Sequence, residues 1–321
     1  MPRSRLGIRL LAVLLFSCSL HGHAAGPRDG LRITVLSTNL ADTRGRGEWG
    51  FSALVESDGD CVLFDTGQHP RTVLENARAL DVDLSCVTDV VLSHHHPDHT
   101  GGLLTLQAEF AGSGPGAFGR VHVAAGIFDS RPLPGGVEAN PMIAARAALR
   151  ARGVAVHEYA EAAEILPGIW VTGPVRRVHA EQGFAADIDL RPRTSMTPDF
   201  IPESQGLAIS TREGFVVLLG CGHAGVINTL SHVQSAIASL PIHAVLGGFH
   251  LHGASQSSID WVGRQFKTLG VQQVMGAHCT AIEPLYRIRE LSGLDRRTAV
   301  VGAVGARFVQ GKGFEPGVLA R

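Results

Sequence analysis

The sequence lacks a surplus of basic residues, since its 28 lysines and arginines face 29 aspartates and glutamates and leave a formal net charge of -1. Aromatic residues are also scarce, at 6% of 321 residues. Nucleic-acid-binding domains usually show a basic surplus or stripe, and no basic cluster interleaved with aromatic residues occurs along the chain. We therefore expect no nucleic-acid partner.

Long apolar runs are missing after the first 25 residues, where no stretch reaches the roughly 18 uninterrupted apolar residues of a membrane-spanning helix. The beginning of the chain differs, because arginines precede a short apolar run at 10–16 and the small residues of HGHAAG follow at 21–26. This order is typical of a cleavable secretory signal peptide, with an uncleaved anchor as the alternative. We expect a signal peptide at 1–25 and a periplasmic or secreted mature chain at 26–321, without a transmembrane segment.

Cysteine is scarce as well, with five residues, of which Cys18 belongs to the proposed signal peptide. Cys61 and Cys86 lie near the ends of predicted strands, where an exported protein could bridge them. The sequence leaves a disulfide and two buried thiols equally open. Cys221 and Cys279 each neighbour a histidine and belong with the site chemistry.

Repeats of the solenoid type are absent, and the chain instead alternates short apolar strands with helical stretches. Strands of near-continuous apolar character, separated by helices, indicate an α/β fold with sheets covered by helices. Helices are predicted at 70–80, at 141–153, and near 226–239, 256–268 and 282–292. Residues 111–204 are rich in glycine and proline, so we expect a single domain with an irregular insertion there that serves as a cover or binding loop.

Four predicted strands end in the same way, with small residues followed by a candidate ligand. The residues at these ends are His94, then Cys221 with His223, then His250, and finally His278 with Cys279. Ligand sites of α/β sheets gather at such strand ends. One histidine of this kind is most simply a satisfied buried side chain, but four equivalent strand ends indicate a shared site.

The densest group of candidates is SHHHPDHTGG at 93–102. In an extended segment alternate residues face one side. His94, His96 and Asp98 would therefore point together. His95 would point away, either outward or in support of a ligand.

His99 breaks this alternation and would turn toward a second position. Neutral imidazole and carboxylate are good ligands for zinc, and also for manganese or iron. Two histidines on one side and an Asp-His pair beyond them fit two adjacent metals better than one, and dinuclear centres hold their ions about 3.5–4 Å apart. We expect two divalent metal ions, with zinc favoured over manganese or iron.

These residues resemble a known signature. HHHPDH at 94–99 fits the His-x-His-x-Asp-His motif of the metallo-β-lactamase superfamily, and LFDTG at 63–67 resembles its Asp-bearing strand end. Three further segments look like the branch of metal-dependent hydrolases labelled dihydropterin-ribofuranosyl-aminobenzene phosphate synthase-like: GCGHAGVINTL at 220–230, GGFHL at 247–251 and HCT at 278–280. The resemblance spans about residues 31–305 and implies an αββα sandwich of two mixed sheets, with a dinuclear site at one edge.

The same resemblance implies two sets of metal ligands. The first metal would be bound by His94, His96 and His223. The second would be bound by Asp98, His99 and His278. Asp65 would accept a hydrogen bond from a ligand histidine or a bridging water and thereby fix its orientation.

The chain departs from the superfamily pattern after the strand that ends LLGC, where many members place a metal-bridging aspartate. Cys221 stands there, either as a thiolate ligand that favours zinc or as a small apolar strand residue. A separate upstream histidine motif is not evident, and His179 is a poor substitute, so His223 takes that role. Asp98 would orient the nucleophile. His250 would coordinate a metal, donate a proton, bind substrate, or only support a ligand.

Several other side chains are weaker candidates. Trp49 and Phe51 are expected to pack against the sheet edge, with substrate stacking as the alternative. His252 is most simply a loop residue. Four arginines in or near the insertion could hold an anionic substrate through bidentate contacts, although most such arginines are solvated: Arg176, Arg177, Arg191 and Arg193.

The mechanism that these residues suggest is hydrolytic. Metals would lower the pKa of a bound water towards about 7, which gives a hydroxide that attacks a carbonyl or phosphoryl centre. We therefore predict an exported metal-dependent hydrolase for a small-molecule ester, lactone, amide or phosphoester. The pterin reaction of the branch is not carried over, because export does not fit it. A non-catalytic exported metal- or ligand-binding protein is the alternative, and redox relatives are disfavoured because they place a glutamate where this chain has His96.

Overall fold

The computed structural model describes residues 26–133, 135–181 and 201–320. The proposed signal peptide at 1–25 lies outside the described residues, as do Arg191 and Arg193. Within the described part of the chain, no helix combines the length and the apolar character that crossing a bilayer requires.

Fifteen strands occur in these described residues. In chain order they are β1 (Arg32–Ser37), β2 (Ser52–Ser57), β3 (Asp60–Phe64), β4 (Asp89–Val91), β5 (Arg120–Ala124), β6 (Ala155–Tyr159), β7 (Ala163–Leu166), β8 (Ile169–Val171), β9 (Gly206–Thr211), β10 (Gly214–Leu219), β11 (Ile242–Gly247), β12 (Gln273–Gly276), β13 (Ala299–Val301), β14 (Arg307–Val309) and β15 (Gly313–Glu315). They form an eight-stranded sheet in the order β15-β14-β1-β2-β3-β4-β5-β6 and a seven-stranded sheet in the order β13-β12-β11-β10-β9-β8-β7. Both sheets are mixed, since parallel pairs such as β3–β4 and β10–β11 adjoin antiparallel pairs such as β2–β3 and β9–β10.

Seven α-helices connect these strands in the described residues. They are α1 (Thr72–Ala79), α2 (Pro97–Thr100), α3 (Leu103–Phe110), α4 (Pro141–Ala151), α5 (Val226–Ala236), α6 (Gln256–Thr268) and α7 (Ile282–Ser292). Short 3₁₀ turns follow at His278–Thr280 and Val318–Ala320.

The two sheets pack face to face and the helices cover their outer faces. Phe64 and Val91 from the first sheet share a buried core with Leu218 and Leu246 from the second. Helices α1, α3 and α4 pack on the outer face of the first sheet, and α5, α6 and α7 pack on the second. Burial on both faces explains the near-continuous apolar character of the strands. The predicted αββα sandwich is therefore confirmed.

The helices predicted from the sequence are present with small differences at their ends. Helix α6 begins and ends where expected, and the Ser255 side chain caps it by accepting a hydrogen bond from the Ser258 amide. Asn140 caps α4 in the same way, through the Met142 amide, and Pro141 occupies the first helical position. Polar caps and a proline at the first helical position are common at the start of helices.

The prediction of an irregular insertion at 111–204 is wrong for most of that segment. It contains α4 and four strands, of which β5 pairs with β4 in the first sheet and β8 pairs with β9 in the second. Its glycines and prolines mark the turns between short strands rather than an absence of structure. Residues 182–200 of the segment lie outside the described part of the chain.

A disulfide joins Cys61 at the start of β3 to Cys86 in the loop before β4, which settles the alternative that the sequence left open. The bond closes a loop with a sequence separation of 25 residues, and cross-links of this size typically contribute about 3 kcal/mol. Cys221 and Cys279 are both free and buried.

Candidate metal centre

The candidate residues meet at one edge of the sandwich, beyond the carboxyl ends of strands from both sheets. Asp65 follows β3 and His94 follows β4. Three strands of the other sheet, β10, β11 and β12, lead to His223, His250 and His278 in turn. Because β3–β4 and β10–β11–β12 run parallel, their carboxyl ends meet at the same edge.

The histidine-rich stretch reaches this edge by a different path from the one predicted. It leaves the strand after Val91 and enters α2, where Pro97 takes the first helical position behind an extended His96 (φ -62°, ψ 145°). Asp98 and His99 therefore lie in the first turn of a helix, so the expected strand alternation does not extend to them. Proline favours the first helical position and keeps its predecessor extended, which explains the abrupt start of the helix.

The first group of candidate ligands surrounds His94. Its Nε2 lies 3.1 Å from the Nε2 of His223. The ligand atoms of His94, Cys221 and His223 lie within 4.8 Å of one another, and so do those of His94, His96 and Asp98. The residues assigned to the first metal are thus brought together.

The second group surrounds Asp98. Its carboxylate lies 3.2 Å from the His278 Nε2 and 3.5 Å from the His99 Nε2. The His99 Nε2 also lies 3.1 Å from the Cys221 sulfur. All four residues have ligand atoms within 4.8 Å of one another, so the residues assigned to the second metal also converge, and the Cys221 sulfur lies among them.

Hydrogen bonds to Asp65 decide which ring nitrogens remain free. The fully buried Asp65 carboxylate accepts bonds from the Ser93 amide and hydroxyl, each at 2.7 Å, and lies 2.7 Å from the His99 Nδ1. A carboxylate only accepts, so the His99 Nδ1 donates its proton to Asp65, and Nε2 is the ring nitrogen that faces Asp98 and Cys221. The Ser93 hydroxyl gives its single proton to Asp65, so the His94 Nδ1, 2.9 Å from that oxygen, donates to it.

The two ligand groups differ in the charge that their surroundings favour. Burial and the neighbouring imidazoles hold the pKa values of His94 and His223 well below the usual range, so both rings are neutral. At His99 burial acts in the same direction, but the carboxylates of Asp98 and Asp65 outweigh it and raise the pKa to about 10. The same contacts with His99 and His278 lower the pKa of Asp98 against the effect of its burial. The second group therefore favours a positive charge beside Asp98.

Three site residues have left-handed backbone conformations that side chains other than glycine rarely adopt. Their φ angles are 56° for Asp65, 51° for His250 and 47° for His278. Each such residue typically costs about 1–3 kcal/mol. All three stand at strand ends, where the turn aims the side chain across the edge of the sandwich.

Gly220, at the end of β10, allows the two sheets to approach. A Cβ at this position would collide with the Ser93 hydroxyl and the Asp65 carboxylate. The small residue before Cys221 is therefore required by the hydrogen bonds that orient His94 and His99.

The donor atoms of the site are themselves typical of a metal centre. The Nδ1 of His223 is buried without a hydrogen-bond partner. Two neutral imidazoles face each other through their Nε2 atoms, and a carboxylate lies beside two more. Neutral imidazole, carboxylate and thiolate sulfur are the donors that zinc prefers in proteins.

Comparisons with known proteins agree with this geometry. The family model of the metallo-β-lactamase superfamily matches residues 48–112, which include Asp65 and the histidine-rich stretch. The crystal structure of a metal-dependent hydrolase of the β-lactamase superfamily is 28% identical, covers 86% of this chain and 98% of its own, and has a TM-score of 0.63. The sandwich of this chain has the metallo-β-lactamase fold, and its sequence is similar to proteins of the metallo-β-lactamase superfamily.

Two curated proteins and a further solved structure extend the comparison. A 7,8-dihydropterin-6-methyl-4-(β-D-ribofuranosyl)-aminobenzene-5'-phosphate synthase of Methanocaldococcus jannaschii is 25% identical over 80% of this chain and 90% of the relative. An uncharacterized protein of the same organism is 26% identical over 85% and 98%. The metallo-β-lactamase fold protein YhfI of Bacillus subtilis is 12% identical, covers 88% of this chain and all of its own, and has a TM-score of 0.51, which shows the fold alone.

His250 and Cys279 adjoin the two ligand groups. The ligand atoms of Cys221, His250 and Cys279 lie within 4.8 Å of one another. The His250 ring centroid is 4.5 Å from that of His223, and neither of its nitrogens has a hydrogen-bond partner. His250 is therefore placed beside the first ligand group with both nitrogens free for a ligand or substrate.

His95 does not face outward, since it is buried with an exposed fraction of 6%. Its Nδ1 lies 2.6 Å from a Glu203 oxygen, and Arg131 donates to the other Glu203 oxygen at 2.8 Å. This supporting pair was missed in the sequence, because PES at 202–204 and DSRP at 129–132 carry no motif. The buried charges hold His95 next to the ligand His96, whose ring centroid is 4.5 Å away.

Trp49 does not pack into the sheet edge as predicted, whereas Phe51 is buried. The Trp49 side chain is 47% exposed and its ring lies 4.8 Å from His278 and 5.4 Å from His252. His252 therefore contacts the site as well. The exposed indole forms an aromatic rim over the second ligand group.

The remaining candidates lie around the start of α5. Arg177 donates to the His223 carbonyl at 3.1 Å, which ties it to the ligand loop, and Arg176 is exposed. The backbone amide of His179 donates to Asn228 at 2.7 Å, and its ring lies 5.7 Å from Trp261. His179 lies in none of the ligand groups found among the described residues.

Proposed function

We propose that this chain is an exported metal-dependent hydrolase that binds two divalent ions, zinc by preference, and acts on a small ester, lactone, amide or phosphoester. The observation that carries the proposal is the pair of neighbouring ligand groups. One offers two neutral imidazoles whose Nε2 atoms face each other at 3.1 Å, and the other offers a carboxylate beside two imidazoles.

The proposed metal ligands are those that the family resemblance implies. His94, His96 and His223 would bind one ion. Asp98, His99 and His278 would bind the other, with the Cys221 sulfur between the groups. Bound divalent ions would act as Lewis acids toward the substrate and make water a stronger acid.

The protein side chains supply orientation and proton handling. Asp65 fixes the proton of His99 on Nδ1 through the contact at 2.7 Å, which keeps Nε2 available as a ligand. Asn39 does the same for His278, whose Nδ1 lies 3.3 Å from the amide oxygen. His250 offers free ring nitrogens beside His223, from which a proton can pass to a leaving group.

A substrate screen of the metal-loaded chain tests this proposal. We expect hydrolysis of at least one of 4-nitrophenyl acetate, a homoserine lactone and bis(4-nitrophenyl) phosphate, and a rate at least 100-fold lower in His278→Ala. His157→Ala is the matched control, because this exposed histidine of β6 stacks on His122 away from the ligand groups. Rates no higher than those of the metal-free chain, or rates that survive His278→Ala, would overturn the proposal. Because one relative is a synthase, the screen uses model substrates and does not assume that relative's reaction.

A further inference from the structure

A cavity of about 490 Å³ lies beside the metal centre, between the start of α5 and α6. His250 lines it together with Gly222 and Gly225, the residues that flank the ligand His223 and its loop. Trp261 of α6 and Glu181 complete its walls. The cavity is therefore continuous with the first ligand group through His250.

The Glu181 carboxylate occupies the amino terminus of α5. It accepts hydrogen bonds from the backbone amides of Ile227 at 3.1 Å and Asn228 at 2.7 Å. The first amides of a helix lack partners within the helix and carry a partial positive charge, so they bind anions. Helix α5 has 11 residues, long enough for this effect. Gly225, before the first turn, has φ 98°, and a Cβ there would collide with the Glu181 carboxylate.

Glu181 reaches this position from a separate segment. The amides of Val178 and His179 donate to the Asn228 side-chain oxygen at 2.8 and 2.7 Å, and the Asn228 side-chain nitrogen donates to the His179 carbonyl at 3.1 Å. The segment is thus clamped on the first turn of α5 while the carboxylate enters the cavity. This places a carboxylate where an external anion would otherwise contact the helix.

The carboxylate of Glu181 is not strongly held as an anion. Burial raises its pKa to about 7, although the amides of Asn228, Ile227 and Val226 act in the opposite direction. A buried ion that loses more by desolvation than it gains from its partners is readily displaced or protonated.

His250 provides an independent indication that the cavity takes a polar ligand. It is only 7% exposed, and neither ring nitrogen has a hydrogen-bond partner. A buried polar group without a partner typically costs about 1–3 kcal/mol. Its backbone φ of 51° shows that the turn holds the ring in this place despite the strain. An oxygen of a ligand in the cavity would satisfy it.

We propose that the first turn of α5 and His250 bind an anionic oxygen group of the substrate, a carboxylate or a phosphate, and that Glu181 fills this position until the substrate displaces it. The inference rests on the proposed function only in taking the ligand to be the substrate of the neighbouring metal centre. Trp261 gives the cavity an aromatic wall for the uncharged part of the same molecule. The group that reacts at the metals would then lie next to the anion.

Binding of simple anions to the metal-loaded chain tests this inference without any turnover. Inorganic phosphate and acetate are titrated by calorimetry into the wild type, Glu181→Gln and Glu283→Gln. Glu283 is the matched control, since it is an exposed carboxylate in the first turn of α7. We expect about tenfold tighter binding of one anion in Glu181→Gln and unchanged binding in Glu283→Gln. The anion that gains more identifies the group on the substrate.

The location of the anion separates this inference from ordinary binding at the metals. A crystal structure of Glu181→Gln with the tighter anion is expected to show its oxygens on the amides of Ile227 and Asn228. An anion found only among the ligand histidines, or equal affinities in all three proteins, would overturn the inference and leave the proposed function standing. If Glu181→Gln does not fold, amide signals of these two residues are followed in the wild type during the phosphate titration, and unmoved signals would also overturn it.

Discussion

The Nε2 atoms of His94 and His223 face each other 3.1 Å apart, although one residue follows β4 in the first sheet and the other follows β10 in the second. The Nδ1 of His94 donates to Ser93, so its Nε2 presents a lone pair. Burial keeps both imidazoles neutral. The His223 Nε2 therefore donates to the His94 Nε2, and a metal ion bound by both rings would take the place of that proton.

Replacing the carboxylate that orients His99 should weaken metal binding. In Asp65→Asn the amide no longer demands a proton on the His99 Nδ1, so the ring is free to turn. We expect metal affinity to fall about 10–100-fold, measured by competition with a chelator. Asp89→Asn is the control, because Asp89 is equally buried and also lies 2.7 Å from a histidine, His122, outside the ligand groups. Equal losses of affinity in the two variants would show that Asp65 acts only through stability.

The metal-free chain should lose stability as the pH rises from 7 to 10. The folded pKa of His99, about 10, lies above the ordinary value of 6.5, so its contribution is complete below 6.5 and is lost as the pH passes through 10. Asp65→Asn removes one of the two carboxylates that raise this pKa, so its stability should fall less steeply. Urea unfolding at pH 7, 8.5 and 10 measures both slopes, and parallel slopes would contradict the assignment to His99.

Loss of the disulfide should lower stability without changing the ligand groups. Cys61→Ser with Cys86→Ser opens the loop between β3 and β4, and we expect the free energy of unfolding to drop by about 3 kcal/mol. The metal content of the folded variant should stay the same. The reduced wild type is the comparison in the same urea titration, and a change below about 0.5 kcal/mol would mean that the bond does not constrain the unfolded chain.

Export is tested in the cell. When the full-length chain is expressed, we expect to recover a shortened protein outside the cytoplasm. Its amino terminus should lie at residue 25 or 26, since small residues precede both positions. Amino-terminal sequencing of the fractionated protein gives the site. Recovery of the intact 321-residue chain from the cytoplasm would refute the proposed location.

The strand and helix periodicity predicted an α/β fold with sheets covered by helices, because burial on both faces leaves a strong apolar pattern. The sandwich itself was implied by the resemblance to the metallo-β-lactamase superfamily. The local path of the ligand stretch was less predictable. Alternation placed His94, His96 and Asp98 on one side, yet the helix that starts at Pro97 brings Asp98 into the site. The prediction that these three side chains lie together was correct, but the reason given for it, strand alternation, was wrong for Asp98. A strand and the start of a short helix can both direct residues two positions apart toward the same point.

Local sequence patterns could not predict the contacts between segments that are distant in the sequence. Glu203 supports His95 across 108 positions of sequence, and Glu181 meets the amide of Asn228 across 47. Each lies in a segment with no motif, so only the fold brings the pair together. The exposed position of Trp49 follows from the same cause, because the rim above His278 is formed by residues from both sheets.

The metal content of the mature chain shows whether the two ligand groups bind metal. The chain from residue 26 onward is purified and its bound metals are counted by elemental analysis, alongside His96→Ala, Cys221→Ser and the control His157→Ala. We expect about two zinc ions per chain in the wild type and the control, and fewer in His96→Ala. A loss in Cys221→Ser as well would add the thiolate to the ligands. If none of these proteins contains metal, even after zinc is supplied during refolding, the two ligand groups do not form a metal centre.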